Sequence, residues 1–230
     1  MNIAIIPARA GSKRIKNKNI KLFNGKPIIA WTIQTALKSK LFDKVVVSTD
    51  SKKIAKISKS YGAEIPFLRS KKISDDKTNI GEVIKDTLAF LSNQKIKINY
   101  ACLLYATAPL MDKNDLTKGY NLIKNKKKLD FVLSISKFNA PYHRALKIKD
   151  KKIIPYIKKN VNKRSQDLED LYYDNAQFTF GKFASWIKTK HSFFSKTGYI
   201  EIPSFRTQDI DNIDDWKRAE IIFKLLKKVK

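Results

Sequence analysis

The chain has one cysteine, seven glycines and seven prolines in 230 residues, and its 21 acidic side chains are outnumbered by 48 Lys and Arg, leaving a formal charge of +27. One cysteine excludes an intrachain disulfide. Cys102 lies inside the apolar run Tyr100 to Tyr105, where a buried, inert thiol is expected. Long hydrophobic runs are missing as well. The longest uncharged stretch, Ile98 to Met111, falls short of the ~20 residues a membrane helix needs and is interrupted by Pro109, so no membrane partner is expected. Met1-Asn2-Ile3-Ala4 enters a strand pattern without the basic region, apolar stretch and cleavage site of a secretory signal, and the expected location is the cytoplasm. Neither Gly-x-x-x-x-Gly-Lys-Ser/Thr nor Gly-x-Gly-x-x-Gly occurs, which removes the Walker A and dinucleotide-fingerprint readings. Internal repeats and low-complexity linkers are also absent.

The cationic excess comes from 41 Lys and only 7 Arg, scattered over nearly every segment rather than drawn into one stripe. A nucleic-acid reader concentrates its charge and leans on arginine for bidentate contacts. The composition therefore points to a generally solvated surface, with attraction of small anionic substrates as the second reading and no nucleic-acid partner; a non-catalytic basic binding module is the distant alternative.

Apolar strands alternate with helical patterns, as βαβ units of a largely parallel sheet do. Strands are predicted at Ile3–Ile6, Val45–Val47, Ala101–Tyr105, Phe131–Ile135, Ala176–Phe180 and Tyr199–Ile202. Helices are predicted after Pro27 (with Ile29, Ile33, Ala36 and Leu37 on one face), over Lys52–Tyr61 ending at Gly62, and over Ile80–Leu91, Asp115–Lys124, Lys182–Lys188 and Ile213–Lys227. One α/β domain spanning 1–230 follows. At about 139–171 the pattern weakens into a hairpin of Ala145–Ile148 and Ile153–Tyr156, a candidate dimerisation arm and hence a homodimer.

Two segments carry chemistry. The loop after the first strand, Pro7-Ala8-Arg9-Ala10-Gly11-Ser12-Lys13-Arg14, continues to Lys18-Asn19 and is suited to phosphate. Small residues at Ala8, Ala10, Gly11 and Ser12 let backbone amides approach an anion, and Arg9, Lys13 and Lys18 can supply charge-assisted hydrogen bonds. Near the other end, Gln208-Asp209-Ile210-Asp211-Asn212 places Asp209 and Asp211 two residues apart, so in extended chain both carboxylates face one way. Such a pair suits Mg²⁺ on a nucleotide. Its rival reading is a helix cap, with Asp211 or Asn212 at the start of the last helix and Asp214 and Asp215 complementing its positive end.

Together these segments resemble the sugar-acid cytidylyltransferases, the family of the CMP-sialic acid, CMP-Kdo and CMP-pseudaminic acid synthetases. Ile6 to Lys13, Lys18-Asn19 and Gly25-Lys26-Pro27 look like that family's opening. Val47-Ser48-Thr49-Asp50, Tyr61-Gly62-Ala63-Glu64, Pro66-Phe67-Leu68-Arg69, Tyr105-Ala106-Thr107-Ala108-Pro109 and Gln208-Asp209-Ile210-Asp211 continue the likeness in order. Tyr105 to Pro109, the segment Tyr173-Asp174-Asn175-Ala176-Gln177-Phe178 and Lys13-Arg14 are most similar to the pseudaminic acid branch. The resemblance implies a Rossmann-like three-layer nucleotidyltransferase fold, usually dimeric, that joins CTP to a nine-carbon 2-keto sugar acid with Mg²⁺ and releases pyrophosphate. N-acetylneuraminic, legionaminic and Kdo-type acids are the alternative acceptors, and UTP with a sugar phosphate a further one. In that reaction Arg9 and Lys13 meet charge growing on the leaving oxygens, while Lys18 and Asn19 hold the triphosphate and Asp209 and Asp211 the metal. Arg69, the Asp76–Thr78 loop and Thr107 are candidates for the nucleotide base, and Tyr105, Arg144, Tyr173 and Gln177 for the sugar acid. No side chain stands out as a general base. His143 and His191 lack the partner spacing of a metal site or triad.

Overall fold

The computed structural model of the chain describes residues 1–140, 142–188 and 192–228; His191 lies outside them. Strand β1 (Asn2–Pro7) holds Ile3 to Ile6 fully buried, as a parallel strand covered on both faces requires. A tight ribbon of β2 (Leu22–Phe23) and β3 (Lys26–Pro27) turns through Asn24 and Gly25 at φ 46° and 87° and delivers the chain to α1 (Ile28–Ser39). Strand β4 (Lys44–Ser48) and helix α2 (Lys52–Ser60) follow, the helix capped by Ser51 Oγ, which accepts the Ile54 amide at 3.3 Å. Gly62, at φ 93°, ends that turn, and the Leu37 side chain fills the space where a Cβ would stand. Leu37, expected in the core with Ile29, Ile33 and Ala36, is nevertheless 42% exposed.

Helix α3 (Ile80–Asn93), strand β5 (Tyr100–Leu104), helix α4 (Lys113–Asn125) and strand β6 (Phe131–Lys137) complete the first half. Asn79 and Asp112 cap the two helices by accepting the Gly81 and Asn114 amides, each at 2.8 Å. Beyond them lie the hairpin β7 (Leu146–Lys149) and β8 (Lys152–Pro155), strand β9 (Tyr172–Lys182), α5 (Phe183–Lys188), β10 (Thr197–Glu201) and α6 (Ile213–Lys228).

Six strands form one sheet in the order β10-β6-β9-β5-β1-β4. Only β9 runs against its neighbours, β5 and β6; the other five share one direction. Alternation along β1 sends Ala4 and Ile6 to a cluster with Ile29 and Ile33 of α1 and Leu116 of α4, and Ile3 and Ile5 to a cluster with Ile84 and Leu88 of α3 and Trp186 of α5. The result is three layers, helix, sheet and helix. A third cluster joins Phe23 and Ile28 to Ile210 and to Trp216, Ala219 and Phe223 of α6, pinning the chain's last helix beside its first loop. Between β1 and β5 the strand order reverses direction, the place where α/β sheets open a crevice.

Strand β9 is longer than its apolar core, Ala176–Phe180, suggests. Its outer half pairs with β6 across a register shift between Leu133 and Ile135, and opposite that shift Ala176 adopts φ 54° while its amide donates to Asp174 Oδ1 at 3.0 Å. Such bulges re-aim side chains, here around Tyr173 and Asp174. The β7–β8 hairpin stands outside the sheet, turning through Asp150 and Lys151 with both φ positive (51° and 60°), as a two-residue primed turn requires.

Candidate active site

The loop after β1 is fixed mostly by its own backbone. Ala8 N–H donates to Ser48 O, Ala10 N–H to Asp50 Oδ1 and Ser12 N–H to Ala10 O, each at 2.9 Å, and Asn19 Nδ2 donates to Arg9 O at the same distance. This corrects the expectation of a four-amide phosphate nest: three of the four amides already have protein acceptors. Gly11 keeps its N–H free among the described residues, with open space around its Cα. Side-chain cations and one amide are thus what the loop offers an anion. Asp50, at the end of β4, is the support that sequence reasoning missed; its place in Ser48-Thr49-Asp50, beside β1 in a parallel pair, was the available signal.

A cavity of about 290 Å³ opens over this loop, walled by Arg9, Ser12, Lys13, Lys18 and Asn19 on one side, by Arg69, Asp76 and Thr78 on another, and floored by Tyr105 to Thr107. The sequence-predicted nucleotide residues therefore converge, although Ala8, Ala10 and Gly11 stand behind its wall. Asp76 lines this cavity while already paired. Its two carboxylate oxygens pair with Lys13 Nζ and Arg9 Nη1, and those two partners hold its carboxyl below the usual range. Thr78 is likewise engaged: its amide and hydroxyl donate to Asp75 Oδ1 at 2.7 and 2.6 Å. Arg69 is 5% exposed, its Nε donating to Ser74 Oγ at 3.1 Å, and burial lowers its pKa against the pull of Asp50.

The acidic segment meets the same loop. Arg14 Nη2 donates to Asp211 Oδ1 at 2.7 Å, and Lys18 Nζ donates to Ile210 O at 2.6 Å while lying 3.7 Å from Asp211 Oδ1. Between the two aspartates Ile210 is fully buried in the third cluster, so alternation sets both carboxylates on the side of the chain away from that cluster. The helix cap falls to Asn212, one of the two residues the sequence offered for it. Asn212 Oδ1 accepts the Asp214 and Asp215 amides at 2.9 and 3.0 Å, and Asp215 Oδ2 accepts back from the Asp211 and Asn212 amides at 3.0 and 3.1 Å. This reciprocal box satisfies the start of α6 without the Asp211 side chain.

Burial, and then the neighbouring charge of Asp211, raise the Asp209 pKa, with Asp174 adding to the effect and Lys18 opposing it. A crowded pair of carboxylates is a site a cation relieves. Among the described residues no group of three or more His, Cys, Asp or Glu is disposed to hold a metal. Two carboxylates alone suit Mg²⁺, which keeps its remaining positions for water and phosphate oxygens.

The sugar candidates separate. Tyr105 lines the cavity over the first loop, its hydroxyl pKa raised by burial and by Asp174 and Asp209. Tyr173, whose hydroxyl lies 3.3 Å from Thr207 Oγ1, divides two further cavities. One, of about 710 Å³, holds Arg144, which donates to Ser165 Oγ at 3.4 Å. The other, of about 620 Å³, holds Asp209, Arg218 and the apolar edge of α6. Gln177 reaches none of the three walls. It is 3% exposed and donates from Nε2 to Arg206 O at 3.2 Å, supporting the turn before Thr207. Arg14, Asp174 and Arg218 border the site although sequence reasoning left them out. His143 sits 3.4 Å from Glu169, away from these walls.

The sequence matches the family model described as Cytidylyltransferase over residues 3–211. It is 37% identical over 226 residues, 97% of each chain, to the pseudaminic acid cytidylyltransferase of Campylobacter jejuni subsp. jejuni. The N-acylneuraminate cytidylyltransferase of Escherichia coli O18:K1:H7 is 31% identical over 94% of this chain and 51% of its own. Among solved structures, CMP:2-keto-3-deoxy-manno-octonic acid synthetase complexed with CTP superposes with a TM-score of 0.73 at 12% identity, covering 98% of this chain and 99% of that one, a likeness of fold.

Proposed function

The chain belongs to the cytidylyltransferase family, and on that premise we propose that it transfers CMP from CTP to the anomeric hydroxyl of a nonulosonic acid, pseudaminic acid first, releasing pyrophosphate in the cytoplasm. The observation that carries the reading is the meeting of Arg14 and Lys18 with the Ile210–Asp211 segment, which puts a cationic loop and an acid pair from opposite ends of the chain around one cleft.

In the reaction a bond forms between the anomeric oxygen and the α-phosphorus as the bond to the β-phosphate oxygen breaks, and the hydroxyl proton passes to solvent. Incoming phosphate takes Arg9 and Lys13 from Asp76, and the two cations then meet the charge that grows on departing pyrophosphate. Lys18, on the same wall of the cavity, completes the anion site. Asp209 and Asp211 would hold magnesium, which when bound supplies charge against the phosphate oxygens and acidifies the attacking hydroxyl. Arg69 and Thr107 border the cytosine side. The β7–β8 arm pairs two copies into a homodimer.

Incubating the protein with CTP, Mg²⁺ and a panel of nonulosonic acids while following pyrophosphate tests the reading. Fastest turnover is expected with pseudaminic acid. The E. coli relative favours an N-acylneuraminic acid as the second acceptor. Release with none of them, in a folded protein that binds CTP, overturns the proposal.

A further inference from the structure

Between β4 and α3 the chain runs as a strap across one wall of the cavity, anchored at one end by the Arg69 amide, which donates to Thr49 O at 2.8 Å, and at the other by the Asn79 cap of α3. Its tip is a turn closed on itself. Asp75 Oδ1 accepts the Lys77 and Thr78 amides at 3.1 and 2.7 Å and the Thr78 hydroxyl at 2.6 Å, so Asp75 to Thr78 move as one unit. Among the described residues, the ion pairs that tie this turn to the rest of the fold run from Asp76 to Arg9 and Lys13.

Asp76 gives one carboxylate oxygen to each cation, inside the cavity where the loop after β1 would meet an anion. It therefore stands where a phosphate would, with the same charge-assisted bonds. Lys18 is held differently: its ammonium donates to the backbone oxygen of Ile210, and its side chain is 20% exposed, whereas that of Lys13 is 81% exposed. Exposed ion pairs contribute little, so an arriving polyanion displaces the carboxylate easily. Being part of the chain, however, the carboxylate stays at an effective concentration on the order of millimolar and returns as the polyanion leaves.

Resting on the function proposed above, we infer that Asp76 is an internal competitor of the leaving group: it yields Arg9 and Lys13 to the β- and γ-phosphates of CTP and retakes them as pyrophosphate departs. The exchange breaks no covalent bond and moves no proton, since one anion replaces another on the same two cations. Its effect is on release, keeping pyrophosphate from lingering on the residues that served it as a leaving group.

Calorimetric titration of inorganic pyrophosphate, CTP and CMP into wild type, Asp76→Asn and Asp75→Asn tests this without any sugar acid. Asp76→Asn is expected to bind pyrophosphate and CTP about fivefold tighter, the scale of one exposed ion pair, and CMP, which lacks the β- and γ-phosphates, within about twofold of wild type. Asp75→Asn removes the same charge one residue away while keeping an Oδ1 acceptor for the turn, and leaves pyrophosphate affinity within about twofold. In a Lys13→Met background the gain from Asp76→Asn shrinks, because one of the two contested cations is gone. A merely structural role predicts the opposite sign, a weaker site. Pyrophosphate binding no tighter in Asp76→Asn, or a gain shared equally by CMP or by Asp75→Asn, overturns the inference. If wild type turns over no nonulosonic acid the parent reading fails, and the pyrophosphate titration still decides the role of Asp76.

Discussion

The cleft and the insertion share one lysine-rich composition but differ in how each meets water. Around the cleft the apolar residues are spent inward: Ile3, Ile5 and Ile6 of β1 and Ile210 between the two aspartates are fully buried. In the β7–β8 arm Ile148 is 80% exposed, Ile153 69% and Leu146 63%, on a two-stranded ribbon that pairs only with itself. A lone hairpin with apolar side chains in water is marginal at best. One region is held by its own core, whereas the other presents its apolar side chains to solvent.

Four experiments break or sharpen that contrast. The largest effect is expected of Asp211→Asn, which keeps the Asn212–Asp215 cap intact but removes half of the acid pair: kcat falls by about 10³-fold, on the scale of several kcal/mol of lost charge stabilisation, while the thermal midpoint holds. Activity near wild type would contradict the metal role. Next, Ile210→Ala, opening a hole in the aromatic cluster, is expected to cost about 2–5 kcal/mol in urea unfolding; a change under 1 kcal/mol would show that the segment is not anchored there.

The arm predicts the opposite pattern. Ile148→Glu with Ile153→Glu is expected to change stability by no more than about 0.5 kcal/mol per exposed site, yet to convert a dimer to monomer in light scattering; an unchanged mass excludes the arm as the contact. The smallest effect concerns pH. Asp75, held below its ordinary value of 3.8 by hydrogen bonds from Thr78, stabilises its turn fully above that value and loses the effect as pH falls through the lower folded value. The Thr78 amide resonance reports it, and a shift centred above pH 4 would contradict the assignment.

Much of the frame was legible because it rests on local rules. The apolar run of β1, the turn at Gly62 and the hairpin around Asp150 depend on neighbours in sequence, and they formed where propensity places them. The site was legible in outline for the same reason, since Pro7 to Asn19 and Gln208 to Asp211 are short segments with their chemistry packed together. What escaped depends on distant partners. Nothing near Asp76 in sequence tells it to grip Arg9 and Lys13, and the bulge at Ala176 exists only because β9 pairs with β6. Gln177 was placed with the sugar, but the turn before Thr207, some thirty residues on, draws its amide inward. Arg218 was hidden by its helix, whose inner stripe of Trp216, Ala219 and Phe223 is the stronger pattern.

Because Ile210 is wedged among Phe23, Trp216 and Phe223, the two aspartates flanking it have no independent hinge. Warming the protein cannot slacken this acidic segment in advance of the body that carries it, so heat inactivation and global melting are expected to coincide on the temperature axis.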